Sequence, residues 1–403
     1  MNILMVADVS IKNVIGGAPR VLHEESKKLK QRGHNVWVLT RQVPNSDLTE
    51  EMVEGVKESR YKIVGNNPFT YIMSSIFNSK RLFEEMVKSK HFDVINFHQP
   101  FSALGVNISR KSRNIKKIYT FHSPAFKEYE MRNRPISTPW STPWGKWNYK
   151  LNSYFRKRIE RYNLKKCEKI RTLSEYMKRE LTDCHCIAYK KVVVIPGGVD
   201  TDRFTPSSDR TKIKKKLGIP IEKILLLSVR NLVPRMGLEN LIYAMADIIR
   251  TTKDVYLVLG GEGALEERLK GLVEQLGLDL FIRFEGFIPE DKLPLYYQAA
   301  DLFVLPSKVL EGFGLVTVES LSCGTPVLGT PIGGTKEILE GLDGRLLFKG
   351  TEPRHISEKI LYFLNRQSEL DNLRDKCRQF AVDNYSWDVV AQKLEETLIE
   401  ATQ

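Results

Sequence analysis

Short runs of β-branched and other apolar residues alternate along the chain with longer stretches whose apolar positions recur every three or four residues. In the first half the short runs fall at 2–7, 35–40, 93–97, 117–121, 170–173 and 192–195. In the second they fall at 224–229, 255–259, 282–285, 302–305, 326–329 and 345–348. This alternation predicts β-α units and parallel sheets buried on both faces. The pattern breaks around 200–212, where Thr205-Pro206-Ser207-Ser208-Asp209 is rich in turn formers, and a fresh β-α series follows. The expected fold class is therefore α/β, with doubly wound domains at 1–205 and 206–384 and a last amphipathic helix at 385–403. Ligands of such sheets sit at the carboxyl ends of the strands, so the expected site is a cleft between the two domains.

Composition narrows the class. With 403 residues, 42% apolar and 28% charged, the chain can bury a core in each domain, which excludes disordered, collagenous and coiled-coil readings. Five scattered cysteines do not make a disulfide framework, and a reducing cytosol is the simplest context. Cys184-His185-Cys186 lacks a second ligand pair at zinc spacing and is read as ordinary side chains near a helix end. No apolar run reaches the roughly 18 residues that a spanning helix needs. Residues 1–7 read as a strand, having neither the basic start nor the cleavage site of a secretory leader. The expected location is cytoplasmic, with peripheral association at the cytoplasmic face of a membrane as an extension.

Charge is uneven. Residues 1–200 hold 36 Lys and Arg against 19 Asp and Glu, and residues 201–403 hold 26 against 30. Within 110–171 the count is 18 against 4, so an anionic partner is expected for the first half. Residues 127–171 add Trp140, Trp144, Trp147, Tyr149, Tyr154, Phe155 and Tyr162. Pro135, Pro139 and Pro143 suggest a loop, and 150–166 then reads as a basic, partly amphipathic helix. Cations interleaved with aromatics suit an anionic membrane surface and a lipid-linked acceptor. A solvated basic face, or a soluble anionic glycan as acceptor, explains the same residues. Nothing resembles a nucleic-acid module.

Two loops carry candidate chemistry. Gly16-Gly17-Ala18-Pro19 precedes a helical stretch, 20–31, and free amides at that helix end would bind a phosphate. Tight-turn geometry alone explains a Gly-Gly equally well. The densest stretch is Glu311-Gly312-Phe313-Gly314-Leu315 through Glu319. A helix starting near Gly314 would place Glu311 before it and Glu319 on its second turn, so the two could grip different parts of one extended ligand. Gly324-Thr325-Pro326 and Gly333-Gly334-Thr335 crowd the same region. The bland alternative is two solvated surface glutamates.

These residues resemble glycosyltransferase family 4, whose GT-B fold has two Rossmann-like domains. The resemblance runs nearly end to end. Its most specific element is Glu311-x7-Glu319. Gly16-Gly17, Gly33-His34, His122 after Tyr119-Thr120-Phe121, Ser174-Glu175-Tyr176, Pro196-Gly197-Gly198-Val199-Asp200 with Phe204, Gly260-Gly261-Glu262-Gly263, Ala300-Asp301 and Pro306-Ser307 accompany it. The final helix resembles the one that crosses back onto the first domain.

The resemblance implies a nucleoside-diphosphate sugar as donor, uridine- or guanosine-linked, and transfer with retention to a hydroxyl of a glycan or lipid-linked acceptor in surface-polysaccharide or glycolipid synthesis. It implies that Glu319 binds the ribose and Glu311 the donor sugar. The backbone of Phe313, Gly314 and Leu315 would hold sugar and diphosphate, with Gly16, Gly17 and Gly261 among the donor-binding loops. His122 would lie near the reacting carbon, and His98 is a weaker acceptor-side candidate. No metal and no cofactor are implied, so Asp200-Thr201-Asp202 is not read as a metal site.

One departure stands out. The family's "Arg-Leu-Val-Pro-x-Lys-Gly" segment reads Arg230-Asn231-Leu232-Val233-Pro234-Arg235-Met236-Gly237, with Asn231 and Met236 at the usual cationic places. A leaving diphosphate needs cationic stabilisation, so Arg235, with Arg230, is expected to supply it. Gly197, where Asn is common, is a milder departure. A nucleotide-sugar epimerase on the same fold and a degenerate sugar-nucleotide-binding partner protein are the alternatives. The paired glutamates argue against the first, and Asn231 with Met236 keeps the second open.

Overall fold

The computed structural model describes residues 1–12, 16–43, 46–64, 67–133 and 143–403. The expectations for Pro135, Pro139 and Trp140, and for the side chain of Trp144, lie outside the described residues. The chain divides into two compact units, one formed by Met1–Pro196 with Val390–Gln403 and the other by Gly197–Val389.

The first unit is built on an eight-stranded sheet. Its strands are β1 (Asn2–Val6), β2 (Asn35–Arg41), β3 (Glu50–Val53), β4 (Val56–Tyr61), β5 (Val94–Phe97), β6 (Lys116–Phe121), β7 (Lys169–Thr172) and β8 (Val192–Val194). They lie in the order β3-β4-β2-β1-β5-β6-β7-β8. All neighbours are parallel except β3 and β4. Central strands are apolar on both faces, and Ile3, Leu4, Met5 and Val6 of β1 are fully buried because helices cover the sheet on both sides.

β3 and β4 escape the hydrophobic pattern for a physical reason. β4 reads Val-Lys-Glu-Ser-Arg-Tyr, yet Glu58 and Ser59 are wholly buried and Arg60 nearly so. Glu58 accepts hydrogen bonds from the Ile11 amide (2.9 Å), the Ser10 hydroxyl (3.0 Å) and the Thr40 hydroxyl (2.7 Å), and it pairs with Arg60. A satisfied polar network takes the place of apolar burial. Glu54 and Gly55 between the two strands both have positive φ, as a tight hairpin turn of this hand requires.

The second unit holds β9 (Ile224–Val229), β10 (Val255–Gly260), β11 (Ile282–Gly286), β12 (Leu302–Leu305) and β13 (Val327–Gly329). They form a parallel sheet ordered β11-β10-β9-β12-β13. The strand expected at 345–348 does not form. Asp343 accepts hydrogen bonds from the backbone and side chain of Arg345 and winds Gly344–Leu346 into a 3-10 turn. Only Leu347 bridges to Gly329.

The crossings between units fall at 196/197 and 389/390, not at 205/206 and 384/385 as the turn-rich sequence suggested. Val199 bridges to Ser386, Gly198 lies against the Trp387 ring, and Phe204 packs on Tyr297. These contacts bind 197–205 and 385–389 into the second unit. Pro143, expected in a loop, opens the helix Pro143–Lys166, where its missing N–H costs nothing.

The last helix, Trp387–Thr402, ends in the first unit. Leu394, Leu398 and Ala401 join the core containing Ile3, Met5 and Val38. Glu395 accepts from Arg32 Nε at 2.7 Å and lies 2.6 Å from His34 Nε2. Leu398 is fully buried, so Leu398→Ala is expected to destabilise the first unit by about 2–5 kcal/mol in denaturant unfolding, through lost burial and the cavity left behind.

Candidate active site

In the second unit, the residues of the dense glycine stretch gather at the carboxyl ends of β9, β10 and β12. Arg230 directly follows β9, and Gly261 follows β10. Gly261 has φ +118° and runs so close to the Arg230 carbonyl that any Cβ there would collide with it. That close approach fixes glycine at this position.

Glu311 sits in the loop after β12. The preceding residue, Leu310, holds a left-handed φ of +55°, costly for a residue with a Cβ. Neighbours hold the loop in place: Arg235 Nη1 donates to the Leu310 carbonyl (3.3 Å) and the Gly334 amide to the Glu311 carbonyl (3.0 Å). Gly314, φ +92°, ends the loop and caps the helix Leu315–Ser322. A Cβ on Gly314 would come within 2.5 Å of Thr335 Oγ1.

The Glu311 carboxylate is nearly buried and forms an ion pair with the Arg230 guanidinium. The Ser307 hydroxyl also donates to it, at 2.8 Å. Burial pushes the Glu311 carboxyl up, but Arg230 and Ser307 outweigh it and hold the group below the usual carboxylate range. Arg230 Nη2 also reaches Met236 Sδ at 2.7 Å. The Arg230 cation thus ends beside the side chain of position 236, where the sequence comparison expects a lysine. Arg235 is half-buried at the same loop, and Asn231 is exposed.

Glu319 is nearly buried on the second turn of its helix and accepts a hydrogen bond from the Tyr297 hydroxyl at 3.0 Å. Phe313 and Leu315 turn their side chains onto Gly197, where a Cβ would lie 2.8 and 2.9 Å from them. The missing Asn side chain at 197 is thus replaced by this apolar contact. Asp200 spends a carboxylate oxygen on the amides of Asp202 and Arg203, both at 3.1 Å. Among the described residues no cluster of three metal-ligating groups forms.

In the first unit a cavity of about 570 Å³ opens at the carboxyl ends of β1, β5 and β6. His98 and His122 both line it, as does Ala18. Ala18 lies in the first turn of the helix Gly17–Gln31, which Gly16 caps at φ +96°. The two candidate histidines of this half are therefore brought together, while Gly16 and Gly17 precede the lining residue Ala18 and do not themselves line the cavity.

The two histidines belong to an ordered chain of hydrogen bonds. The Thr120 hydroxyl donates to Asn96 Oδ1 at 3.0 Å, which aims Asn96 Nδ2 at His98 Nε2, 3.2 Å away. His98 Nε2 must accept, so its proton sits on Nδ1, which faces His122 Nε2 at 3.2 Å. His122 accepts there and carries its own proton on Nδ1. Burial pulls both imidazoles below their usual pKa, and the charge of Arg171 adds to it; His122 falls to about 3. The pair is neutral at physiological pH, and Nδ1 makes His122 a hydrogen-bond donor.

Arg171 and its partner Glu25 were not legible in the sequence. Arg171 is wholly buried, pairs with Glu25, and donates to the carbonyls of Ile195 (3.0 Å) and Pro196 (2.8 Å). Glu25 Oε2 lies 3.9 Å from His98 Nε2. Arg171 reads as one polar position in a strand, and Glu25 as one of many charges on an amphipathic helix. Only the fold buries them together.

Comparison with known proteins fits both halves. The family model "Glycosyltransferase Family 4" matches residues 15–203, and "Glycosyl transferases group 1" matches residues 209–396. The chain belongs to glycosyltransferase family 4. A GDP-mannose-dependent phosphatidylinositol monomannoside mannosyltransferase of Mycolicibacterium smegmatis is 31% identical over 212 residues, 51% of this chain and 55% of that one. The match thus spans about half the length of that relative. A D-inositol 3-phosphate glycosyltransferase of Geodermatophilus obscurus is 28% identical over 375 residues, 88% of this chain and 79% of that one.

Among solved structures, sucrose-phosphate synthase of Thermosynechococcus elongatus has a TM-score of 0.82 at 20% identity, covering 99% of this chain and 98% of that one. Anabaena HepE in complex with UDP has a TM-score of 0.75 at 19% identity, covering 99% and 100%. The family 4 chain has the GT-B fold, with two α/β domains built on largely parallel sheets.

The neutral histidine pair has a measurable consequence. An unfolded imidazole takes up a proton near pH 6.5, whereas folded His122 resists protonation to about pH 3. Between those values the unfolded state binds more protons, so stability falls as the pH is lowered from 6.5. Replacing His122 by Gln is expected to flatten this acid dependence in denaturant titrations at pH 7 and pH 5.

Proposed function

We propose that the protein transfers a sugar, with retention and without a metal, from a uridine- or guanosine-diphosphate sugar to a hydroxyl of a glycan or lipid-linked acceptor in surface-polysaccharide or glycolipid synthesis. The observation that carries this reading is the Glu311 loop: an ionised, buried carboxylate held by Arg230 and Ser307, followed at once by the glycine-capped helix that bears Glu319.

The family resemblance suggests the roles, and the geometry within each unit supports them. Amides at the start of the helix Leu315–Ser322 suit a diphosphate. Glu319 suits the ribose and Glu311 the sugar hydroxyls. Arg230 and Arg235 supply the cations that the leaving group needs. In the reaction the bond between the anomeric carbon and the diphosphate oxygen breaks, and the acceptor oxygen bonds to that carbon from the same face. The acceptor proton passes to the departing diphosphate oxygen. His122, neutral and donating through Nδ1, steadies a sugar or acceptor oxygen without serving as a base. Positioning and charge stabilisation do the rest.

The helix Pro143–Lys166 supports a site at an anionic membrane surface. It exposes Trp147, Tyr154 and Phe155 beside Lys150 and Arg158. No helix among the described residues is long and apolar enough to cross a membrane. The mannosyltransferase relative, named for a phosphatidylinositol mannoside, favours the lipid-linked acceptor over a soluble glycan.

Thermal stabilisation by a panel of uridine, guanosine and adenosine diphosphates and their sugars, without added metal, tests the donor. A ligand that binds only the folded form raises the midpoint. A selective shift lost in Glu319→Ala is expected, and silence with every nucleotide removes the donor site from this reading. Arg235→Ala is expected to lower transfer by about 100-fold or more while the fold survives, as removal of one oxyanion-stabilising group does elsewhere. Unchanged transfer removes Arg235 from the phosphate site.

A further inference from the structure

The Cys184-His185-Cys186 stretch comes apart in the fold. Cys186 is exposed and caps the helix Glu175–His185 at a left-handed φ of +52°, and Cys184 is half-buried, but His185 between them is wholly buried. His185 Nε2 lies 2.9 Å from Glu160 Oε2, on the helix Pro143–Lys166, and Glu160 is almost wholly buried too. We propose that Glu160 and His185 are positioning residues for His122, clamping the loop that carries it at both of its ends. This rests on the role of His122 proposed above and deepens it.

The loop is short. His122 directly follows Phe121, the last residue of β6, and the helix Ala125–Asn133 begins three residues later. The Ala125 amide donates between the two oxygens of Glu160, at 3.3 and 3.2 Å. That N–H opens the helix and has no acceptor within it, so Glu160 caps the helix from outside. The His185 ring meets Phe121 edge to face, with centres 6.1 Å apart and planes at 83°. It meets Phe126 in the same way, at 6.0 Å and 88°. The pair therefore holds residues 121, 125 and 126, and His122 lies between held points.

The proton order agrees with this. His185 Nδ1 has no hydrogen-bond partner among the described residues, so the proton of the ring belongs on Nε2, which faces Glu160. Burial pushes the Glu160 carboxyl up, and the bonds from His185 and Ala125 pull it back. Apolar side chains would fill the same volume without desolvating a carboxyl group. They would leave the Ala125 amide unbonded, and that amide is what the acid serves.

The clamp reaches the cavity as well. Glu160 lines it together with His98 and His122, and so do Glu128, Tyr129 and Asn133 of the helix that Glu160 caps. Other charges nearby are engaged elsewhere. Arg171 of β7 and His98 of β5 act on His122, and Glu128 acts on Glu160. Lys127 pairs with Glu180 at 2.6 Å, and Lys157 lies over the Phe126 ring at 5.0 Å. All of these stay in place in the variants below, so a change at His122 reports on its loop.

Nitrogen-15 NMR of the histidine side chains follows His122 directly, its signal identified by its loss in His122→Gln. In the wild type His122 is expected to remain neutral, with its proton on Nδ1, through a titration from pH 7 to pH 5. Glu160→Leu removes the bond to Ala125, and His185→Phe keeps a ring between Phe121 and Phe126 but loses the bond to Glu160. Each is expected to loosen the loop, let water reach His122 and raise its midpoint by about one pH unit or more, a tenfold gain in proton affinity. Glu160→Gln, whose amide oxygen still accepts from Ala125, is expected to stay near the wild-type midpoint. Lower thermal stability with an unchanged His122 midpoint in either folded variant is the mark of a merely structural pair and overturns the proposal. His185→Phe carries the test if Glu160→Leu does not fold. The measurement uses neither donor nor acceptor, so failure of the clamp and failure of the transferase reading are told apart.

Discussion

Parallel strand pairing is the constraint on which the rest depends. Because neighbouring strands run the same way, the loops that leave their carboxyl ends collect on one edge of each sheet. Asp8 follows β1, Arg41 ends β2, and His98 and His122 follow β5 and β6. Arg230 follows β9, Gly261 follows β10, and Glu311 lies in the loop after β12. Residues up to about a hundred positions apart meet because the hydrogen-bond ladder leaves them nowhere else to go.

On that frame, buried polar groups fix what apolar packing leaves free. Glu58 ties the loop after β1 to β2 and β4. Arg171 ties the end of the first unit, at Ile195 and Pro196, to Glu25. Arg230 ties Glu311 to the end of β9. Each is a charge that could not stay buried alone, since an unpaired ion in the interior costs several kcal/mol. The requirement for a partner is what makes these contacts specific. The strained Leu310 is likewise held from outside, by hydrogen bonds to its own carbonyl and to that of Glu311.

Much of this was legible in the chain. Eleven of the twelve expected strands formed within one or two residues of their places, because parallel strands buried on both faces read as continuous apolar runs. Gly314 and Glu319 took the positions that a helix after a glycine turn implies. β4 was hidden because its interior is polar, and the strand expected at 345–348 was lost to a side chain, Asp343, that bonds its own backbone two residues on. The displaced arginine was visible as a departure at Arg230, but its end point beside Met236 was not.

The sequence by itself determined the α/β class, two parallel sheets, the glycine loops and the Glu-x7-Glu pair, because these rest on local periodicity and on backbone conformations that few residues tolerate. Only the tertiary structure decided which charges are paired. It set Arg230 against Glu311 and Arg171 against Glu25, fixed the proton order through Thr120, Asn96, His98 and His122, and placed Arg41 and Arg156 in one cavity. Charge pairing depends on distance and burial, and neither can be read from spacing along a chain when the partners are brought together by a sheet.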